Sequence, residues 1–205
     1  MISAAEALAR LREGNSRFVA SIRDPAASLD AERRARLAAG QEPFAIVLGC
    51  TDSRVPAELV FDQGFGDLFV IRVAGNIVAP SQVGSVEFAA ERFGTPLVVV
   101  LGHSQCGAIG ATLEQMRQPS PAAGRNLRSI VDRIRPSIEP LVRHAAGVAD
   151  DAALVDAAVR ANIRAASEHL RTGSEILERL VAAGRLRVIG AEYSLDSGEI
   201  GRAHV

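Results

Sequence analysis

Two short apolar runs, Phe44-Ala45-Ile46-Val47-Leu48 and Leu97-Val98-Val99-Val100-Leu101, constrain what this chain can fold into more than any other feature. Neither alternates polar with apolar residues, and each is closed by a glycine, Gly49 or Gly102. That pattern predicts strands buried on both faces, the situation of strands in a parallel sheet. Parallel strands cannot be joined by tight turns, so helices must carry the crossovers. The rest of the sequence supplies them. Residues 67–73 and 185–191 read as two further strands, and a turn at 195–199 leads towards an edge strand. Helices are expected at 29–39, 57–61, 81–93, from near Cys106, at 126–134 and 138–144 (punctuated by Pro136 and Pro140), at 150–171 and at 175–183. Strands alternating with helices predict an α/β fold of three layers: a mainly parallel sheet of four to five strands flanked by helices.

Ahead of the first strand, Ser3-Ala4-Ala5-Glu6 is a capping-box pattern opening a helix to about residue 21. Its apolar stripe of Leu8, Leu11, Phe18 and Val19 is incomplete, and Gly14 weakens its interior. With no obvious sheet face to cover, it is expected to pack on a partner subunit. The whole of 1–205 reads as a single domain, an N-terminal helical arm at 1–40 followed by an α/β core at 41–205. The Pro/Ser/Gly stretch at 119–124 is too short to divide it.

Bulk properties remove several classes of function. A formal net charge of −1 disfavours nucleic acid and anionic membrane surfaces as partners. No apolar run approaches the ~20 residues that span a bilayer. The opening Met1-Ile2-Ser3-Ala4-Ala5-Glu6 has no basic segment, so a secretory signal is not expected and the location reads as cytoplasmic. In a reducing compartment the two cysteines point to metal binding or catalysis before a disulfide.

Those cysteines sit where an open α/β sheet does its chemistry, just beyond the carboxyl ends of strands. Cys50 follows the first apolar run, and His103-Ser104-Gln105-Cys106 follows the second. Two thiolates and an imidazole suit zinc, and a catalytic zinc keeps three protein ligands with one open position. The other histidines, His144, His169 and His204, lie in polar helical or terminal segments and read as solvated, which leaves no fourth soft ligand. The open position would then take water or the nearby Asp52. Asp52 and Arg54 follow Cys50 at spacings of two, so extended backbone would project all three to one side. A carboxylate paired with Arg54 stays ionised and can orient a zinc-bound water or hydroxide. Two thiolates neutralise the ion, so that water is less acidic than on three histidines, where its pKa falls to ~7. The glycines at 102, 107 and 110 fit neither Gly-x-Gly-x-x-Gly nor a phosphate loop, and nucleotide binding is set aside.

Taken together, Cys50-Thr51-Asp52-Ser53-Arg54-Val55-Pro56, Arg72-Val73-Ala74-Gly75-Asn76 and Gly102-His103-Ser104-Gln105-Cys106-Gly107 resemble the β-class carbonic anhydrases, over roughly residues 4–197. The resemblance implies one zinc per subunit on Cys50, His103 and Cys106, an Asp52–Arg54 gating dyad, and reversible hydration of carbon dioxide to bicarbonate and a proton. It also implies the Gln-containing, open-site type. Gln41 stands nine residues before Cys50, where that type supplies a glutamine across the dimer interface, and Val47 replaces the tryptophan of the other type. Phe69, Ala74, Phe88 and Gly107 fall where such enzymes bind substrate, although many relatives carry tyrosine in place of Phe88. A homodimer or dimer of dimers is implied, with the N-terminal helix embracing the partner. Three other readings remain at this point. The same zinc chemistry would serve a carbonyl sulfide or carbon disulfide hydrolase; zinc could be merely structural; and a thiol redox protein would want a Cys-x-x-Cys that is absent.

Overall fold

A computed structural model describes residues 2–24, 31–118, 124–144 and 151–202. The sheet has five strands in the order β2-β1-β3-β4-β5. They are β1 (Ala45–Gly49), β2 (Leu68–Arg72), β3 (Leu97–His103), β4 (Arg187–Tyr193) and β5 (Ile200–Arg202). The first four run parallel, and β5 pairs antiparallel with β4. Every residue of β1 and β3 is buried, as unalternating apolar strands between two layers must be.

The helices are α1 (Ala4–Val19), α2 (Ala31–Leu37), α3 (Ala57–Val60), α4 (Pro80–Arg92), α5 (Gly107–Arg117), α6 (Arg125–His144), α7 (Asp151–Thr172) and α8 (Glu175–Ala182). Alternate strand residues separate the core into two halves. Ile46, Leu48, Val98, Val100 and Val188 join side chains of α4 to α8, including Ile109, Ile134 and Ile163. Val47, Val99, Leu101 and Ala191 face the other way, towards α1 and α3.

The N-terminal helix therefore departs from the expectation that it lacks a sheet face of its own. Ala7 and Leu11 are buried against this chain's second core half. Gly14 is what permits the approach, because any Cβ there would collide with the Phe61 carbonyl oxygen. The Asn15 side chain then ties α1 to this core: its Nδ2 donates to the Val60 and Gly198 carbonyls, and its Oδ1 accepts from the Ile200 N–H. Charge secures the segment further. Arg17 and Arg23 converge on Asp62, whose side chain is wholly buried, and Arg10 and Arg33 on Asp67. A glycine that looks like a helix weakness is the contact point of the packing.

A second correction concerns the predicted pieces 126–134 and 138–144, which form one continuous helix, α6, with Pro136 and Pro140 inside it. The two prolines lie one turn apart on the exposed side, so the carbonyls they leave unpaired face water. Val131, Ile134 and Ile138 keep an unbroken buried stripe opposite. The predicted start of α2 at residue 29, that of α7 at residue 150 and most of the 119–124 linker lie outside the described residues. Among the described residues, no helix is long and apolar enough to cross a membrane.

The chain runs from β1 to β2 on one side and returns to place β3 on the other. At such a reversal, beyond the carboxyl ends of the strands that flank it, open α/β sheets bind their ligands, and here those strands are β1 and β3.

Candidate metal centre

Cys50 is the first residue after β1, and His103 closes β3. Gly49 pairs with Leu101, so the two strand ends lie side by side. Past His103 the chain turns sharply, with Gln105 in the left-handed region (φ 54°), and Cys106 becomes the N-cap of α5. Strand pairing and this turn bring three distant side chains together. The sulfurs of Cys50 and Cys106 and a ring nitrogen of His103 all lie within 4.8 Å of one another, and all three residues are buried. Both cysteines are free thiols.

The imidazole carries the most telling detail. His103 Nδ1 lies 2.9 Å from the Ser104 carbonyl oxygen, which can only accept, so the proton resides on Nδ1. Nε2 is left facing the cysteines, and in the neutral ring it carries the lone pair that a metal takes. It is fully buried and has no hydrogen-bond partner among the described residues. A buried acceptor left unsatisfied costs about 1–3 kcal/mol. A soft cation between the two sulfurs and this nitrogen would satisfy it, and two thiols with one imidazole are a donor set of the zinc kind. The residues fit the ion.

Backbone amides surround the sulfurs. The Gly75 N–H donates to Cys50 Sγ at 3.3 Å, and the Asp52 amide also bears on that sulfur. The amides of Ala108 and Ile109, in the first turn of α5, bear on Cys106 Sγ. The thiols themselves share a proton. Hydrogen bonding from Cys106 pulls Cys50 well below the ordinary thiol range, despite burial, while the Cys50 thiolate pushes Cys106 up.

Asp52 and Arg54 form the expected pair. Arg54 gives the carboxylate three hydrogen bonds: Nε to Oδ1 at 2.9 Å, Nη2 to Oδ2 at 2.8 Å and the backbone N–H to Oδ1 at 3.0 Å. These hold the Asp52 carboxyl far below its usual range, outweighing partial burial. Asp52 Oδ2 stands 3.9 Å from His103 Nε2, so the carboxylate borders the ligand cluster.

Gln41 is exposed and shares a hollow with Leu37, Gly40, Phe65 and Phe93, which none of the three ligands line. Phe69 packs against Phe88 and Phe93 with ring centroids 6.2 and 6.1 Å away, and Phe88 is 54% exposed. Ala74 opens the 3-10 turn Ala74–Asn76 after β2, and Gly107 is the exposed first residue of α5. His144 and His169 are exposed, as read from the sequence, and His204 lies outside the described residues.

Three residues were not assigned roles by the sequence reading. Arg72 donates to the carbonyls of Cys50 (2.9 Å) and Asp52 (2.7 Å), clamping the backbone between them. Gly75 supplies the amide on Cys50, and Asn162 donates to the Gly75 carbonyl. Arg72 and Gly75 belong to a recognised motif, but which backbone atoms they meet depends on strand pairing. The signal for Asn162 was a lone amide on the apolar side of an alanine-rich helix.

The family model for carbonic anhydrases matches residues 45–200, from β1 into β5. Carbonic anhydrase 2 of Mycobacterium tuberculosis is 39% identical over 188 residues, covering 92% of this chain and 87% of that protein. The carbonic anhydrase of Mycolicibacterium smegmatis is 40% identical over 190 residues, covering 93% and 88%. Among solved structures, a tetrameric β-carbonic anhydrase from Sordaria macrospora shares the fold, with a TM-score of 0.75 at 23% identity over 84% of this chain and 86% of that one. This chain belongs to the β-class carbonic anhydrase family. It is a carbonate dehydratase, an enzyme that interconverts carbon dioxide and bicarbonate. Carbonic anhydrases of this class use zinc, and the Cys50–His103–Cys106 cluster could hold such a metal.

Proposed function

We propose that this carbonic anhydrase is zinc-dependent, with Cys50, His103 and Cys106 as the protein ligands and Asp52 with Arg54 as the dyad that serves the fourth position. The observation that carries the reading is His103 Nε2: buried, without a hydrogen-bond partner among the described residues, and facing two buried thiols while Nδ1 is held by the Ser104 carbonyl. When bound there, zinc supplies a Lewis acid that makes a water nucleophilic near neutral pH.

The protein's own groups do the rest. Cys50 and Cys106 provide negative charge, and their amide neighbours draw part of it back. Asp52, kept ionised by Arg54, can only accept hydrogen bonds, so Oδ2 orients an attacking water by taking one of its O–H bonds. Arg54 also keeps the carboxylate from turning onto the ligands, since three hydrogen bonds must break before it moves. Arg72 fixes the Cys50–Asp52 backbone, and with it the spacing between ligand and dyad.

Substrate contacts are assigned to Phe69, Ala74, Phe88 and Gly107, with Gln41 reaching the site of a second subunit in a homodimer or dimer of dimers. The exposure of Gln41 and of about half of Phe88 on the isolated chain supports this, because both present surface to such a neighbour. Together these features describe the Gln-containing, open-site type.

Stopped-flow hydration of carbon dioxide, on protein of measured zinc content and from weakly acidic to weakly alkaline pH, tests the reading. Hydration that needs zinc and collapses in Asp52→Ala is the expected result. Stoichiometric zinc with no hydration at any pH would overturn it, and the sulfur gases would then be assayed.

A further inference from the structure

Asn162 sits 3% exposed on α7, in the core half that also buries Ala158, Ile163 and Ala166. An amide in such surroundings needs partners, and it has a specific one. Its Nδ2 donates to the Gly75 carbonyl oxygen at 2.8 Å. The same Gly75 donates its own N–H to Cys50 Sγ at 3.3 Å. One residue thus joins α7 to a metal-binding sulfur.

Gly75 has a left-handed backbone (φ 67°, ψ 22°), and glycine reaches many conformations at little cost. Nothing intrinsic to the residue keeps its amide on the sulfur. Ile134 closes in beside its α-carbon, where an added Cβ would meet the Ile134 side chain at 2.8 Å. That contact limits where Gly75 can move, and the Asn162 amide fixes how its carbonyl is turned. The direction matters electronically. Two thiolates neutralise a divalent cation, and each N–H on a sulfur withdraws some of the charge that the sulfur would pass on. Cys106 receives its amides from the first turn of a helix, which is rigid by construction. One of the amides on Cys50 comes from a glycine in a short turn, and that one needs a brace.

We infer that Asn162 is a positioning residue for the metal centre: by holding the Gly75 carbonyl it keeps the Gly75 N–H on Cys50 Sγ and so sets the charge that sulfur gives the metal. This rests on the metal reading above. Asn162 itself is bonded to none of the ligands.

The test uses metal spectroscopy on the full chain, with cobalt(II) or cadmium-113 in place of zinc. In the cadmium protein, the Gly75 amide proton should show a scalar coupling to the metal through sulfur. Asn162→Leu keeps the volume and removes the donor. It should abolish that coupling and move the sulfur-to-cobalt charge-transfer band to longer wavelength. A merely structural role would leave both signals in place and lower only the melting temperature. Should Asn162→Leu fail to fold, Asn162→Asp, which sets an acceptor against the Gly75 carbonyl, is read the same way. Wild-type protein that takes up neither metal overturns the metal reading, and this inference with it. A loaded wild type without the coupling, or variants that retain it, overturn the role of Asn162 alone.

Discussion

At the scale of single residues, the site separates atoms that bind from atoms that hold the binders in place. Among the described residues, Arg72 donates its hydrogen bonds to backbone carbonyls, yet those belong to Cys50 and Asp52. Its planar fork suits two carbonyls at once, whereas a lysine ammonium cannot span them in the same way. Arg72→Lys should lower kcat/KM roughly 10- to 100-fold, the usual cost of losing an outer support of a metal site, with zinc content near normal. Steady-state hydration kinetics beside metal analysis would check this. Arg54→Ala makes a different prediction. Without its three hydrogen bonds the Asp52 carboxyl returns towards its ordinary range and becomes free to turn. Since the pair holds the carboxyl down, its loss moves protonation upward only towards ~3.9, so Asp52 stays ionised in the hydration assay and activity should fall alike from weakly acidic to weakly alkaline pH, because the carboxylate is no longer held in place. Pairwise chemistry at this scale was largely legible in the sequence: a ligand set of two thiols and an imidazole, and a carboxylate two residues from an arginine. The tautomer of His103 was not, because the Ser104 carbonyl that decides it takes its position from the turn after β3.

Elements show where sequence patterns mislead. Gly14 reads as a flaw in α1 until the Phe61 carbonyl is found against it. The incomplete stripe of Leu8, Leu11, Phe18 and Val19 reads as a helix without a home because the second core half is assembled from segments far apart in the chain. Periodicity records which face is apolar but not what lies opposite it. Leu11, 1% exposed, is the anchor of this packing. Leu11→Ala should cost about 2–5 kcal/mol, the range for emptying a buried leucine site. Urea unfolding would measure it, and an equal loss in Leu8→Ala, at a half-buried position, would argue against α1 seating on Leu11. Proline in α6 misleads in the opposite sense. Pro136 and Pro140 suggested a break, yet the freed carbonyls fall on the wet side and the buried stripe carries the helix through. The strands needed no such correction, since an unalternating apolar run has only one comfortable environment.

For the whole molecule, stability should depend on acid through the contacts between the N-terminal segment and the loop before β2. Burial alone would raise the Asp62 carboxyl, but Arg17, the Asp24 amide and Arg23 together hold it below the ordinary range. A carboxyl with a depressed folded pKa stabilises fully above its unfolded value, ~3.9, and loses that contribution as pH falls through the folded value. Asp62→Asn should therefore destabilise at neutral pH by about 1–3 kcal/mol, as losing charge-assisted contacts to arginines that stay partly exposed does, and flatten the stability profile below ~4. Denaturant melts across that range would show it; an unchanged slope would place the acid sensitivity elsewhere. The sheet order has another consequence, for synthesis. Each strand pairs with one already made, β2 on one side of β1, then β3, β4 and β5 outward on the other. The nascent chain can build outward from β1 as it leaves the ribosome, without waiting for a distant partner strand. All three proposed ligand residues emerge by Cys106, well before Asn162. A newborn chain can thus make Cys50, His103 and Cys106 while α7 is still to be translated, and Asn162 takes hold of the Gly75 carbonyl only when that helix arrives.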